Sequence, residues 1–324
     1  MSFWSDRPVL VTGATGLLGG ALVSSLLDRG ARVGVLLRDE APDCRLIRSG
    51  DIDRVLRIRG DITRIEEVER ALEERGVEVL FHLAAQAIVG TAKRSPWQTF
   101  ESNVRGTWNV LEAARRVEGL RSIVVASSDK AYGPSDDLPY RESHPLAAVG
   151  PYDASKAMTD IVAQSYAATY GLPLSIVRAG NLYGPGDLHW NRLVPEMIRA
   201  RLRGETPVLR STGRASRDWL YVDDAVDAYL ALGERSADDG VRGEAFNVAP
   251  GVPATVLEVC AKIDAALGTH DPPHRILGTA EAEGEIPDQS LDPSKAQERL
   301  GWTARVGLDE GIARTVAWYR ELLD

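Results

Sequence analysis

The strongest constraint on the fold is a glycine-rich segment near the start of the sequence. The apolar run PVLVT leads into GATGLLGG, with glycines at Gly13, Gly16 and Gly19, and then into ALVSSLLDRG. Glycines at this spacing let the backbone approach a pyrophosphate, and the N-terminus of the following helix stabilises its negative charge. A strand, a glycine turn and a helix in this order predict a dinucleotide-binding unit, with a purely structural turn as the alternative.

Short strand-like runs and helix-length segments alternate through the first half of the chain. The runs RVGVLL, RVLRIRG, VEVLFHLAA, SIVVASS and LSIVRAG are separated by segments such as NVLEAARRV. This alternation is typical of parallel strands joined by crossover helices. We therefore expect an α/β fold with a Rossmann-type doubly wound parallel sheet.

The alternation of strand-like and helix-length segments ends after NLYGPGD, where loops rich in glycine and proline precede shorter helices. We expect residues 1–180 to form the nucleotide-binding domain, and residues 221–249 to return to it through the strand-like EAFNVA. Residues 181–220 and 250–324 then form a smaller C-terminal substrate-binding lobe. A chain of 324 residues is long enough for this arrangement.

Composition and charge exclude several classes of protein. The formal net charge is −9, whereas a nucleic-acid surface needs a basic patch. No apolar stretch approaches the roughly 18 residues of a membrane span, and MSFWSDRP lacks the features of a signal peptide. The distant Cys44 and Cys260 predict two unpaired thiols in a cytoplasmic protein, and the five histidines have no metal-ligand spacing.

The segment YDASK places Tyr152 and Lys156 four positions apart. In a helix these side chains project from one face, one turn apart. A lysine ammonium beside a phenol lowers the phenol's pKa from about 10, so that a phenolate serves as a base near neutral pH. Such pairs are also common on solvated helix faces. This pair follows a glycine motif and a strand that ends in serines, and that position favours a catalytic role.

The segment SSDKAYG sets an acid, Asp129, beside a base, Lys130, where the strand-like SIVVA ends. In isolation an Asp-Lys pair predicts a solvated turn with a local ion pair. At the carboxyl end of a strand in a parallel sheet, however, the pair would face the ligand site.

Together these motifs resemble the extended short-chain dehydrogenase/reductase family, the nucleotide-sugar epimerases and dehydratases. The resemblance spans nearly the whole chain and includes TGATGLLG, GDIT, HLAAQ, SSDKAYG, YDASK, RAGNLYGPGD, RDWLYVDDAVDAYL and LDPSKAQERLGW. It is similar in particular to the CDP-glucose 4,6-dehydratase branch, in which Asp-Lys follows the catalytic serine. The segment GDLHWNRLVP departs from that branch because Leu188 and His189 separate the aspartate from Trp190.

The resemblance implies a tightly bound nicotinamide cofactor, a nucleoside-diphosphate sugar in the smaller lobe, and a homodimer built on a helix pair from each subunit. The catalytic residues it implies are Ser128, Asp129, Lys130, Tyr152 and Lys156, with Asn103 in support. The cofactor contacts it implies are Thr12, Gly13, Thr15, Gly16, Leu17, Leu18, Gly19, Arg38, Asp61, Ile62, Leu83, Ala84, Ala85, Asn103, Tyr152 and Lys156. The substrate contacts it implies are Gln86, Ser128, Asn181, Arg192, Leu193 and Arg217, with Asn181 and Arg217 near the diphosphate.

In the reaction that this branch implies, Tyr152 takes the 4-hydroxyl proton of the sugar while the cofactor oxidises C4. Asp129 protonates the departing 6-hydroxyl, and Lys130 either removes the C5 proton or polarises the 4-ketone. A 4-epimerase needs neither extra group. The alternatives are an NDP-hexose 4-epimerase and a non-catalytic nucleotide-binding relative.

The choice of cofactor depends on the end of the second strand. Leu37 stands where an acid commonly holds the ribose of NAD, and the next residue, Arg38, suits the extra phosphate of NADP. Asp61 is predicted either to bond the adenine or to cap a helix. We expect NAD, with NADP as the alternative.

Two further groups of residues are predicted to pack rather than to react. His82 at a strand end is expected beside the cofactor as a packing residue. Packing is also the better prediction than stacking on a nucleobase for Trp190, Trp219, Trp302 and Trp318.

Overall fold

The computed structural model describes residues 2–39, 41–74, 76–269, 273–278 and 286–323. Within these ranges the strands are β1 Pro8–Thr12, β2 Arg32–Leu37, β3 Leu56–Arg59, β4 Val79–His82, β5 Ser122–Ala126, β6 Leu174–Ala179, β7 Asn181–Tyr183, β8 Val208–Leu209, β9 Ser216–Arg217, β10 Trp219–Tyr221, β11 Ala245–Val248, β12 Ala254–Thr255 and β13 Arg275–Ile276. The α-helices are α1 Leu17–Asp28, α2 Arg45–Arg48, α3 Ile65–Glu73, α4 Val89–Arg94, α5 Pro96–Phe100, α6 Gly106–Arg116, α7 Pro151–Tyr170, α8 Leu193–Leu202, α9 Val222–Arg235, α10 Val256–Leu267, α11 Ser294–Leu300 and α12 Leu308–Leu323.

A seven-stranded parallel sheet forms the centre of the described structure, in the order β3-β2-β1-β4-β5-β6-β11. The expectation of a doubly wound parallel sheet is therefore confirmed. The chain runs outward from β1 in both directions, so the strand order reverses between β1 and β4. The loops that follow these two strands leave a crevice, which is where ligands bind in such sheets.

Helices cover both faces of this sheet. One apolar core packs α1 and α9 against one face, and a second core packs α3, α6 and α7 against the other. The strands are buried on both sides because of these two layers, which explains their nearly continuous apolar runs.

A third, smaller apolar core lies outside the sheet and joins α8, α10 and α12 with Trp219 and Tyr221. A buried ion pair between Arg201 and Asp264, at 2.7 Å, links α8 to α10. Both cysteines are buried and unpaired, as expected. In the described part of the chain, no helix is long and apolar enough to span a membrane.

Candidate active site

A large cleft opens at the carboxyl ends of the parallel strands, between the sheet and the smaller core. Its volume is about 1520 Å³, which exceeds the roughly 300–1,000 Å³ of a site for one small molecule. Each central strand contributes residues where it ends, for example Gly13 after β1, Leu83 after β4 and Ser127 after β5. The cleft therefore has room for a cofactor and a second ligand side by side.

Most of the residues predicted from the sequence line this cleft. They are Gly13, Thr15, Gly16, Leu17, Leu18, Gly19, Arg38, Asp61, Ile62, Leu83, Ala84, Ala85, Gln86, Ser128, Asp129, Lys130, Tyr152, Lys156, Asn181, Arg192 and Leu193. Three predicted residues, Thr12, Asn103 and Arg217, are buried instead and are outside the set that lines it.

The glycine motif forms a close-packed cradle at the start of α1. A Cβ on Gly13 would lie 2.7 Å from Ala84 N, and a Cβ on Gly19 would overlap Gly13 O. Gly16 is the N-cap of α1 and supplies no side-chain cap, and the first turn of the helix carries no acidic residue. The backbone N–H groups of that turn are therefore available to an anion, as a pyrophosphate site requires.

The end of β2 and the loop after β3 form another part of the cleft. Arg38 pairs with its neighbour Asp39 at 2.6 Å, and both side chains are largely exposed. The Asp61 carboxylate accepts from Thr63 N at 2.9 Å, while α3 begins only at Ile65. The prediction that Asp61 caps a helix is therefore wrong, because its side chain closes a local turn before the helix starts.

The acid and base of SSDKAYG lie in a tight 3₁₀ turn that directly follows β5. Ser128 is the N-cap of this turn, and its hydroxyl donates to Asp129 Oδ1 at 2.9 Å and accepts from Lys130 N at 3.3 Å. Asp129 is only 2% exposed, whereas Lys130 is partly exposed at the cleft. This arrangement buries the acid and rules out a solvated ion-pair turn.

Tyr152 and Lys156 project from one face of α7 into the cleft, as predicted. Burial raises the pKa of Tyr152 to about 12, with a further increase from Asp129, while the nearby Ser128 hydroxyl opposes the rise. The ammonium of Lys156 donates to Ala126 O at 2.7 Å, and burial lowers the pKa of Lys156 to about 8. The predicted lowering of the phenol pKa is thus wrong for this arrangement, because burial raises that pKa and Lys156 is not among the groups that shift it.

Asn103 is a buried residue that connects two elements of the cleft. It lies in a π-helical turn, Glu101–Arg105, and is 1% exposed. Its amide accepts from Gln86 N at 2.7 Å and donates to Gln86 O at 3.0 Å and to Ser155 Oγ at 2.8 Å. Asn103 therefore ties the loop after β4 to the helix that carries Tyr152, and its contact with a cofactor stays a prediction.

Replacing Asn103 by leucine should destabilise the fold by about 1–3 kcal/mol, because two partly buried backbone groups of Gln86 and the buried Ser155 hydroxyl lose a partner. Urea unfolding followed by circular dichroism measures this. Asn103→Asp is the matched control, since it keeps the acceptor for Gln86 N and should recover part of the loss. An unfolding midpoint for Asn103→Leu equal to that of the wild type would contradict this role.

The predicted substrate residues divide into two sets. Asn181, Arg192 and Leu193 line the cleft, and Arg192 pairs with the buried Asp187 at 3.2 Å. Arg217 is outside the set of cleft-lining residues, and it donates to Ser216 O at 2.7 Å and to Pro287 O at 2.9 Å. Its contact with a diphosphate stays a prediction.

His82, Trp190, Trp302 and Trp318 are packing groups, as the sequence predicted, whereas Trp219 also lines the cleft. The two ring nitrogens of His82 bond the hydroxyls of Thr12 and Thr107 at 2.9 and 3.0 Å. Burial lowers the pKa of His82 to about 3, so the ring stays neutral. Trp190 and Trp318 pack on Tyr319, Trp219 lies in the smaller core, and the buried Trp302 donates to Asp224 O at 3.0 Å.

Sequence reasoning missed several polar groups of the site. Tyr229 on α9 lines the cleft, and Asp153, Asp218 and Gln289 are buried close to the Asp129–Lys130 turn. The spacing of apolar residues marks α9 as amphipathic but does not single out Tyr229. Asp153 lies inside the quoted YDASK motif, so its position was visible in the sequence although its burial was not.

The model of the NAD dependent epimerase/dehydratase family matches residues 9–249, so the chain belongs to that family. The relatives of this chain include NDP-sugar 4,6-dehydratases and 4-epimerases.

Three relatives illustrate the similarity. CDP-glucose 4,6-dehydratase of Salmonella typhimurium is 29% identical, covering 98% of this chain and 92% of the relative. UDP-glucose 4-epimerase of Mycolicibacterium smegmatis is 34% identical, covering 96% and 98%. The structure of dTDP-glucose 4,6-dehydratase from Streptomyces venezuelae with NAD bound matches with a TM-score of 0.88 at 32% identity over 97% of each chain.

Proposed function

We propose that this protein is an NDP-sugar 4,6-dehydratase that converts CDP-glucose to the 4-keto-6-deoxy sugar nucleotide. The observation that carries the proposal is the buried Asp129 beside Ser128 and Lys130 at the cleft. Besides a hydride acceptor, oxidation at C4 calls on a serine, a tyrosine and a lysine, whereas loss of water also needs an acid at O6 and a group acting at C5. Asp129 and Lys130 are the two additional groups.

Each of these side chains has a separate role in the reaction, which depends on its position in the cleft. Ser128 acts to lower the pKa of Tyr152, so the two hydroxyls lie near each other and would both face the sugar's 4-hydroxyl. Because the pKa of Tyr152 is about 12, the proton transfer needs positive charge nearby, and Arg192 already acts in that direction. Asp129 donates a proton to the departing 6-hydroxyl, and water leaves as Lys130, if it is the base, takes the C5 proton. A hydride at C6 and a proton at C5 then complete the 4-keto-6-deoxy sugar.

The glycine cradle, the uncapped start of α1 and the size of the cleft fit a dinucleotide. Gly13, Gly16, Leu17 and Leu18 would hold its pyrophosphate, and Tyr152 and Lys156 would face its nicotinamide end. Bound NAD would supply a hydride acceptor and later a hydride donor, which is chemistry that no side chain provides.

The second candidate is an NDP-hexose 4-epimerase, favoured by the 34% identity to the mycobacterial UDP-glucose 4-epimerase. Incubation of purified protein with CDP-, UDP-, GDP- and dTDP-hexoses, followed by mass spectrometry, separates the two. A 4,6-dehydratase releases a product lighter by one water. A product of unchanged mass that differs only at C4 would establish the epimerase instead.

We expect NAD to be the nucleotide that co-purifies, in line with the NAD-bound dehydratase relative. The measurement is release by acid and identification by chromatography. Arg38 is partly exposed and pairs with Asp39, so Arg38→Ala should leave NAD content within about two-fold, as for loss of a surface ion pair. Recovery of NADP alone, with its loss in Arg38→Ala, would reverse this assignment.

The division into a nucleotide-binding domain, 1–180 with 221–249, and a sugar-binding lobe, 181–220 with 250–324, is part of this proposal. We also propose that the protein is a homodimer whose interface is built on α6 and α7. Trp108 on α6 and Ile161 on α7 are 56% and 55% exposed. Large apolar side chains exposed together are typical of subunit contacts. Sedimentation as a 35.2 kDa monomer at micromolar concentration would contradict the dimer.

A further inference from the structure

Lys130 has a side-chain partner from the C-terminal part of the chain. Its ammonium donates to Gln289 Oε1 at 2.5 Å, across 159 positions of sequence. Lys130 lines the cleft, whereas Gln289 is 1% exposed and lies outside the set of cleft-lining residues. A lysine ammonium only donates, so the amide oxygen of Gln289 has to face it. Gln289 Nε2 is buried without a hydrogen-bond partner among the described residues, so Gln289 is linked to the cleft through its oxygen on Lys130.

The backbone of Gln289 is held on both sides. On one side Gln289 N donates to Ser216 O at 3.0 Å, and Ser216 N donates to Pro287 O at 2.9 Å. On the other side Tyr140 N donates to Ser290 O at 2.8 Å. These bonds involve only main-chain atoms, so a change of the Gln289 side chain leaves the course of the segment intact.

Lys130 also has a competing partner close by. The charge of Lys130 acts to lower the pKa of Asp153, which burial raises, so the two groups lie within electrostatic reach. Asp153 Oδ1 is buried and has no hydrogen-bond partner among the described residues. A lysine side chain is long and flexible, and an ammonium that lost Gln289 would turn toward this carboxylate.

We propose that Gln289 is the positioning residue for Lys130: its amide oxygen holds the ammonium at the cleft and keeps it from pairing with Asp153. This inference rests on the proposed function, because Lys130 has a task at C5 or at the 4-ketone only in a dehydratase. The lysine of the Asp-Lys pair then depends on the C-terminal segment, which a comparison of the SSDKAYG segment alone does not reveal.

Gln289→Leu removes the acceptor at similar size. We expect kcat for dehydration to fall by about 10- to 100-fold, the effect of a misplaced catalytic group, with KM within about two-fold because Gln289 lines no part of the cleft. Gln289→Glu keeps an acceptor oxygen and should restore most of the rate. Asp288→Asn, an exposed neighbour on the same segment, is the matched control and should match the wild type.

A double-mutant cycle separates positioning from a general loss of structure. In a Lys130→Met background, Gln289→Leu should reduce the residual rate no further, because Lys130 is the group through which Gln289 acts. If the two losses multiply instead, Gln289 acts independently of Lys130 and the proposal is overturned.

A measurement that does not depend on catalysis tests the positioning role of Gln289 separately from the proposed function. The product panel on the wild type decides between dehydratase and epimerase. A crystal structure of Gln289→Leu, or of Gln289→Ala if the leucine variant does not fold, should show Lys130 Nζ displaced from its wild-type position toward Asp153. A Lys130 that keeps its place in such a structure would refute the positioning role whichever reaction the wild type performs.

Discussion

Tyr152→Phe is expected to lower kcat by about 10²–10⁴-fold while leaving the dissociation constant for the sugar nucleotide nearly unchanged. The change removes one hydroxyl, which serves in proton transfer and not in holding the ligand. The loss corresponds to about 3–5 kcal/mol of transition-state stabilisation. Steady-state rates and calorimetric binding of the substrate measure the two quantities.

The control for this variant lies on the same helix. Tyr170 is 54% exposed at the end of α7, so Tyr170→Phe should retain the wild-type rate. A Tyr152→Phe protein with activity within a few-fold of the wild type would remove Tyr152 from the mechanism. Equal loss of binding and of rate would instead assign the phenol to affinity.

Asp129→Asn should stop the reaction after the 4-hydroxyl proton has gone. Asparagine is nearly isosteric and still accepts from Ser128, so the first step at Tyr152 and Lys156 remains. It cannot donate an acidic proton to the departing 6-hydroxyl, so product formation should fall by about 10²–10⁴-fold. Stopped-flow absorbance in the reduced-nicotinamide band should rise and persist with this variant and only transiently with the wild type.

Two comparisons sharpen this prediction. Asp136→Asn changes an exposed acid nearby in sequence and should match the wild type. Lys130→Ala should also slow product formation, and should slow exchange of the C5 hydrogen with solvent deuterium if Lys130 is the base. If Asp129→Asn and Lys130→Ala both interconvert C4 epimers at the wild-type rate, the pair has no role in water loss and the protein is an epimerase.

Local patterns predicted much of the fold because they reflect short-range physics. The parallel sheet follows from alternating strand and helix periods, and the cradle at Gly13 and Gly19 follows from backbones that approach too closely for a Cβ. Tyr152 and Lys156 share a face because an α-helix turns once in about 3.6 residues. Each inference needs only neighbours in sequence, which the chain itself displays.

The electrostatics of the site depend on which distant segments pack together. Burial by the surrounding elements raises the pKa of Tyr152 to about 12, although the Tyr-Lys spacing alone predicts the opposite direction. Arg217 donates to Pro287 O because the C-terminal segment passes beside β9, a contact between segments 70 residues apart that no motif indicates. Desolvation and long-range hydrogen bonds have no sequence period, and so no motif could reveal them.

By itself, then, the sequence determined the class of fold, the position of the nucleotide cradle and the identity of the side chains at the strand ends. The tertiary structure alone decided that Asp129 is buried, that Lys156 bonds the end of β5, and that Lys130 meets Gln289. The physical reason is that periodicity encodes which face of an element is apolar. The partner of a polar side chain is instead set by contacts between segments distant in sequence, 30 positions apart for Lys156 and Ala126 and 159 for Lys130 and Gln289.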